Sequence, residues 1–162
     1  MNKKGLAVIT TLILFCGIMQ VNSASAPVTT KPKTQNAQQD KIINTTSLTI
    51  VNNPAKYLNS TVKIQATFDK FSTLGLDYKK AMRSSSDYIG ILIQRDDVLD
   101  HNIPLSEMKI FMKKSLAEKY IDLDTGDKIE ITAKVFSTAL NDPWLDIQKL
   151  TIIKKVKKEE NK

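Results

Sequence analysis

GDKIEITAKVF, residues 126–136, is the stretch on which the fold turns. Ile129, Ile131, Ala133 and Val135 alternate with Lys128, Glu130, Thr132 and Lys134. A period of two gives a strand with one dry face and one wet face. Gly126-Asp127 in front of it reads as a turn. A strand of this kind needs partners, and the rest of the chain supplies them.

Upstream, TVKIQATFDKF places Val62, Ile64, Ala66 and Phe68 on one face, and Phe71 falls on the other parity. That slip predicts a bulge or the strand's end. DYIGILIQR, 87–95, turns Ile89, Ile91 and Ile93 inward. EMKIFMKK sets Met108, Ile110 and Met112 against Lys109, Phe111 and Lys113. Downstream, WLDIQKLTII, 144–153, alternates but changes parity near Lys149.

One helix is expected between the third and fourth strands, over 115–123. Ser115-Leu116-Ala117-Glu118 has the S-x-x-E form of a capping box. Leu116, Tyr120 and Leu123 follow at helical spacing, and Asp124-Thr125-Gly126 ends the run. A shorter helical piece is expected over 47–58, capped by Ser47 and interrupted at Asn53-Pro54. Three strands, a helix and two strands, with the first and fourth strands long, is the layout of a mainly β, five-stranded Greek-key barrel of the OB type. The helix would plug its bottom.

The ends differ from this body. Lys3 and Lys4 precede an apolar run, Leu6–Met19, and then the small residues of VNSASA. This is the pattern of a secretory signal over 1–26, with the mature N-terminus expected between Ala24 and Pro27. The protein is therefore expected to be exported, periplasmic or secreted. Cys16 is the only cysteine and lies inside that signal, so the mature domain is expected to hold together without disulfides. Residues 27–46 are polar with two prolines and read as a disordered linker. The barrel is expected over 47–153 and a basic charged tail over 154–162.

The net charge of +7 belongs mostly to the ends. Residues 47–153 contain 14 Lys+Arg and 14 Asp+Glu. Phosphate neutralisation dominates nucleic-acid affinity, and a neutral body does not favour it.

NPAKYLNSTVKIQATF resembles the start of secreted bacterial OB-fold proteins of the tRNA-anticodon-like type, with their NPxxYxxxxVxVxGxx pattern. LAEKYIDLDTGDKIEITAKVF resembles their helix, GD turn and fourth strand. The resemblance covers roughly residues 47–153. Alanine stands at 66 and 133, where family members often carry glycine. It implies a small extracytoplasmic β-barrel and brings no catalytic motif.

No enzyme chemistry is expected. His101 is the only histidine, in the polar loop DDVLDHNIP. Asp96, Asp97 and Asp100 share that loop without the spacing of an EF-hand, so no metal is expected. There is no G-x-x-x-x-G-K-[ST] and no G-x-G-x-x-G, and no cofactor is expected. Binding remains. OB barrels use the face of their second and third strands, bracketed by two loops. Tyr78, Lys79, Lys80 and Arg83 lie on the first of those loops, STLGLDYKKAMRSSS. Tyr88, Lys109 and Phe111 lie on the outward parity of the two strands. Rings among cations can stack on a ligand while the cations meet its polar groups. The alternative is that Tyr88, Leu92 and Phe111 pack under the N-terminal helix and the cations form an ordinary loop surface. Three classes stay open: an exported binding module for an unidentified ligand or protein partner, a single-stranded nucleic-acid binder, and a structural envelope protein touching anionic surfaces through its basic ends.

Overall fold

In the computed structural model, residues 41–98 and 103–157 are described, all within one unit, Gln38–Lys162. The expected signal, most of the linker, Asp100, His101 and the last five residues of the tail lie outside the described residues.

The elements are, in order, β1 (Ile43–Asn44), α1 (Ser47–Asn52), α2 (Pro54–Tyr57), β2 (Thr61–Ser72), β3 (Tyr88–Ile93), β4 (Lys109–Lys113), α3 (Lys114–Ala117), β5 (Lys128–Ser137) and β6 (Trp144–Lys154). Single 3₁₀ turns cover Lys79–Ala81, Glu118–Tyr120 and Ala139–Asn141. The five expected strands are β2 to β6.

β2 closes the barrel because it is long enough to pair twice. Its first half, Thr61–Thr67, runs antiparallel to β5, and Phe68–Ser72 runs antiparallel to β3. The register shifts between Phe68 and Lys70, which is the bulge that the parity of Phe71 predicted. β3 pairs with β4 antiparallel, β4 with β6 parallel, and β6 with β5 antiparallel. The order β2-β3-β4-β6-β5 returns to β2, so the sheet is a closed five-stranded barrel with the OB strand order. A second shift, between Thr132 and Ala133, faces the parity change of β6, with Ala133 opposite Ile147 and Thr132 opposite Lys149. A bulge of this kind bends and twists a strand locally.

The barrel interior is built from the alternating sets. Val62, Ile64, Ala66 and Phe68 meet Ile91, Ile93, Met108, Ile110 and Met112, with Ile129, Ile131, Ala133 and Val135 closing the ring. Fully burying each aliphatic side chain of this size is worth ~1.5–3 kcal/mol. Ile89, expected inward with Ile91 and Ile93, is only half-buried and borders a 290 Å³ apolar recess with Phe71, Ala117 and Ile121.

Both expected helices take a cap residue other than the expected one. α1 is capped by Thr46, whose hydroxyl accepts the Thr49 N–H at 3.2 Å, while Ser47 is buried as its first residue. The break at Asn53-Pro54 stands, with Pro54 opening α2. The expected helix over 115–123 is shorter. α3 covers only Lys114–Ala117 and passes into a 3₁₀ turn. Ser115 does not cap it. The strand runs directly into the helix, Lys113 takes the cap position, and the Lys114 N–H donates to the Asp87 carbonyl at 2.8 Å. The apolar face holds nonetheless: Leu116 and Tyr120 pack on the core and Leu123 is buried.

The folded unit also reaches past both expected limits. Ile43 and Asn44 pair in parallel with Val62 and Lys63. At the other end, β6 runs to Lys154, and the Val156 N–H donates to Asp127 Oδ1 at 2.8 Å.

Candidate functional site

The outward parity of β3 and β4 should be the wet face of the sheet. At its centre it is dry, with Leu92 and Phe111 buried and Lys113 exposed at the edge. Phe111 is fully buried and Trp144, at the start of β6, is 1% exposed. Their rings stack at 5.7 Å and 29°, and Phe136 of β5 adds a tilted ring 6.3 Å from Phe111. The Trp144 Nε1–H donates to the Ala139 carbonyl at 2.7 Å.

The cover is the segment 73–87, between β2 and β3. Tyr78 stacks on Trp144 at 5.3 Å and 20°, and Leu76 and Ala81 pack beside it. Gly75, at φ +84°, brings the backbone down onto the rings. A Cβ there would stand 3.2 Å from atoms of both Phe111 and Trp144. The segment is braced internally. The Asp77 N–H donates to the Arg83 carbonyl at 2.9 Å, and the Ser85 N–H donates to Asp77 Oδ1 at 3.0 Å. Hydrogen bonding from the Ser85 side chain and N–H holds the Asp77 carboxyl below its usual value.

Of the expected binding cations, Arg83 fastens this cover to β6, while Lys109 ties β4 to the segment 138–143. Arg83 donates Nε–H and Nη2–H to Asp146 Oδ2, at 3.2 and 2.9 Å. Its guanidinium lies 3.7 Å from the Phe136 ring centroid and 5.4 Å from that of Tyr88. Lys109 pairs with Asp142 at 2.9 Å and donates to the Ser106 carbonyl. Both cations are thus already met by carboxylates.

The seven expected site residues therefore separate by role. Tyr78, Arg83, Tyr88 and Phe111 share one cluster, with Lys109 at its edge. Phe111 is covered and has no open ring face, which corrects the expectation that it stacks on a ligand. Tyr88 is half-buried and borders a 480 Å³ recess with Ser86, Asp87, Lys113, Lys114 and Ser115. Lys79 and Lys80 are exposed on the 3₁₀ turn. Sequence reasoning left out Phe136, Asp142 and Asp146. Phe136 breaks the alternation of its strand with a ring on the wet parity, and that was the available signal.

Around the sealed rings lies an apolar rim. Leu74 is 45% exposed, Met82 50% and Leu140 66%. Each is the sequence neighbour of a residue packed on the cluster: Gly75, Ala81 and Ala139 respectively. Leu140 and Asn141 both have positive φ, 62° and 61°. A leucine in that conformation costs ~1–2 kcal/mol.

In the described part of the acidic loop, Asp97 is engaged by Arg95, with Nε and Nη2 at 3.0 and 2.9 Å from its two oxygens. Among the described residues no group of three or more His, Cys, Asp or Glu is placed to hold a metal ion. Likewise no helix among them is long and apolar enough to cross a membrane.

No protein-family model matches the chain, and no curated protein matches it. Solved structures similar to it include a putative aspartyl-tRNA synthetase from Leishmania major Friedlin, at 12% identity and a TM-score of 0.46. The match covers 82% of this chain and 24% of the synthetase, so the chain spans about a quarter of that protein's length. OBody AM3L09 bound to hen egg-white lysozyme is similar at 12% identity, 62% and 88% coverage and a TM-score of 0.43. The S. pombe Stn1-Ten1 complex follows at 11% identity, 59% coverage of both chains and a TM-score of 0.38. The OB assignment itself stands on the strand order of the barrel.

Proposed function

We propose that this chain is an exported, non-catalytic OB-type module that binds a protein partner through the rim formed by segments 73–87 and 138–143. The observation that carries the proposal is Leu140, an apolar side chain 66% exposed and held at positive φ. Backbone strain with no internal packing in return marks a position used for contact. Leu74 and Met82 extend the apolar surface, and Lys79 and Lys80 border it. The partner surface should accordingly be apolar at its centre with acidic groups at its edge.

The sealed rings support a protein over single-stranded nucleic acid. Base stacking needs an open ring face, and Phe111 and Trp144 have none while the cover is down. The absence of catalysis is supported by the sequence, which has one histidine and, outside the expected signal, no cysteine. Export rests on Lys3, Lys4, the apolar run and the small residues at 23–26.

The test titrates the labelled protein with oligonucleotides, oligosaccharides and fractionated envelope proteins while amide shifts are recorded. The expected result is a response at Leu74, Met82 and Leu140 to a protein fraction only, reduced at least tenfold by Leu140→Gly. Oligonucleotide binding with a steep salt dependence would overturn the proposal. Mass spectrometry of exported protein should find an N-terminus between Ala24 and Pro27, and Met1 still attached would refute export by this signal.

A further inference from the structure

The β5–β6 ladder has a second end, ten residues along β6 from Trp144, or about 33 Å of strand. There Lys128 stands directly opposite Lys154. Cross-strand partners carry their side chains on the same face, close together, and like charges so placed repel. Lys128 donates to the Thr67 hydroxyl, a neutral partner. Among the described residues neither Lys154 nor Lys157 has an ion-pair partner. A natural ladder that sets two lysines against each other carries an electrostatic cost, unless something anionic sits between them.

The neighbouring backbone is fixed and does not trail away. Asp127, whose side chain is buried, accepts the Val156 N–H and pairs with Lys155 at 2.9 Å. Burial would push this carboxyl up, but the Asp124 N–H, the Lys155 ammonium and the Val156 N–H hold it below the usual carboxylate range. Val156 lies against Gly126, where an added Cβ would come within 3.4 Å of Val156 Cγ2. The clamp holds the start of the tail beside β5. It forms a 370 Å³ recess lined by Gly126, Lys128, Lys154, Lys155, Val156 and Lys157. A second recess of 350 Å³, bordered by Gln65, Thr67 and Asp96, shares Lys128 and Lys154 with it. Lys155 takes up the charge of Asp127. Asp96 shares the second recess with Lys128 and Lys154, Lys157 lines the first, and the pair of recesses keeps a positive excess.

We propose that Lys128, Lys154 and Lys157 form a binding site for a phosphate-bearing anion at this end of the barrel. Lysine supplies compact point charges with freely rotating donors, which suit a tetrahedral, multiply charged group. Arginine, whose planar fork matches a carboxylate, lines neither recess. The Thr67 hydroxyl and the Gln65 amide add neutral hydrogen-bonding groups at the edge. The phosphate can belong to a soluble phosphate ester or to the headgroup of an anionic lipid. This site shares no residue with the rim described above, so either can fail alone.

The test uses the full chain and the double variant Lys128→Gln/Lys154→Gln. Pyrophosphate is titrated at constant ionic strength, with amide shifts and thermal unfolding as readouts. The expected result for the unmodified chain is a saturable shift at Gly126, Lys128 and Val156 and a rise in Tm. The double variant should lose the response at least tenfold and should be no less stable without the anion, because the like-charge contact is gone. Co-sedimentation with phosphatidylglycerol vesicles, against phosphatidylcholine vesicles, separates the sources. Selective pelleting that the double variant loses assigns the headgroup, and a pyrophosphate response without pelleting assigns the soluble ester. Shifts spread evenly over all lysines, Lys79 and Lys80 included, or a response unchanged in the double variant, would overturn the proposal.

Discussion

The barrel interior and the outer aromatic cluster are both dry, but they are dry for different reasons. The interior is closed by the sheet itself. Ile64, Ile131 and Leu145 face one another because the strands curl into a ring, and each is at most 1% exposed. The outer cluster sits on the convex side, where a sheet ordinarily meets water. Phe111 and Trp144 are buried only because segment 73–87 lies over them and the Arg83–Asp146 ion pair holds it down. One face is sealed by secondary structure and the other by a loop. The first is as stable as the barrel. The second depends on a few local contacts and is expected to loosen without unfolding the protein.

Three substitutions test that difference, and two more test the helix starts beside the barrel. Trp144→Ala should have the largest effect, a loss of ~3–5 kcal/mol in urea unfolding, if the outer cluster is a second core. A loss below ~1 kcal/mol would mean the cover contributes nothing and the comparison fails. Ile131→Ala should cost ~2–5 kcal/mol by removing interior volume. Behaviour like a surface change there would put the parity of β5 in error.

Gly75→Ala separates the two regions. It strains a backbone at φ +84° and presses a methyl group on both rings, at a cost of ~1–2 kcal/mol. The emission of Trp144, the only tryptophan, should move to the red as the cover lifts, while the far-ultraviolet signal of the barrel stays unchanged. Loss of both signals together would show that cover and barrel fold as one unit. The smallest effects concern the helix starts that flank the barrel. Thr46→Ala should cost ~1 kcal/mol, because its hydroxyl caps α1. Ser115→Ala should change stability by less than ~0.5 kcal/mol, because that residue is exposed and caps nothing. Equal effects from the two would undo the reassignment of the caps.

The pattern of legibility follows the same division. The strands could be read because alternation is local: a pleated backbone sends neighbouring side chains to opposite faces whatever surrounds it. Even the irregularities were visible, since Phe71 and Lys149 change parity where the register shifts. The capping box at Ser115 misleads because four residues satisfy the motif wherever the helix begins. Here it begins one residue earlier, with Lys113 in the cap position and the Lys114 N–H donating to the Asp87 carbonyl, which lies just before β3. For the site, the structure places Tyr78, Arg83, Tyr88 and Phe111 in one cluster, and the burial of Phe111 within it is not legible from the alternation.

By itself the sequence determined which residues form the five strands, where two of them bulge and which side chains share a face. The tertiary structure decided which of those faces meets water. Burial of Phe111 requires Gly75 to turn at positive φ and Arg83 to reach Asp146, 63 positions away. Whether a face is wet depends on the path of a distant segment, and alternation within a strand carries no information about that path.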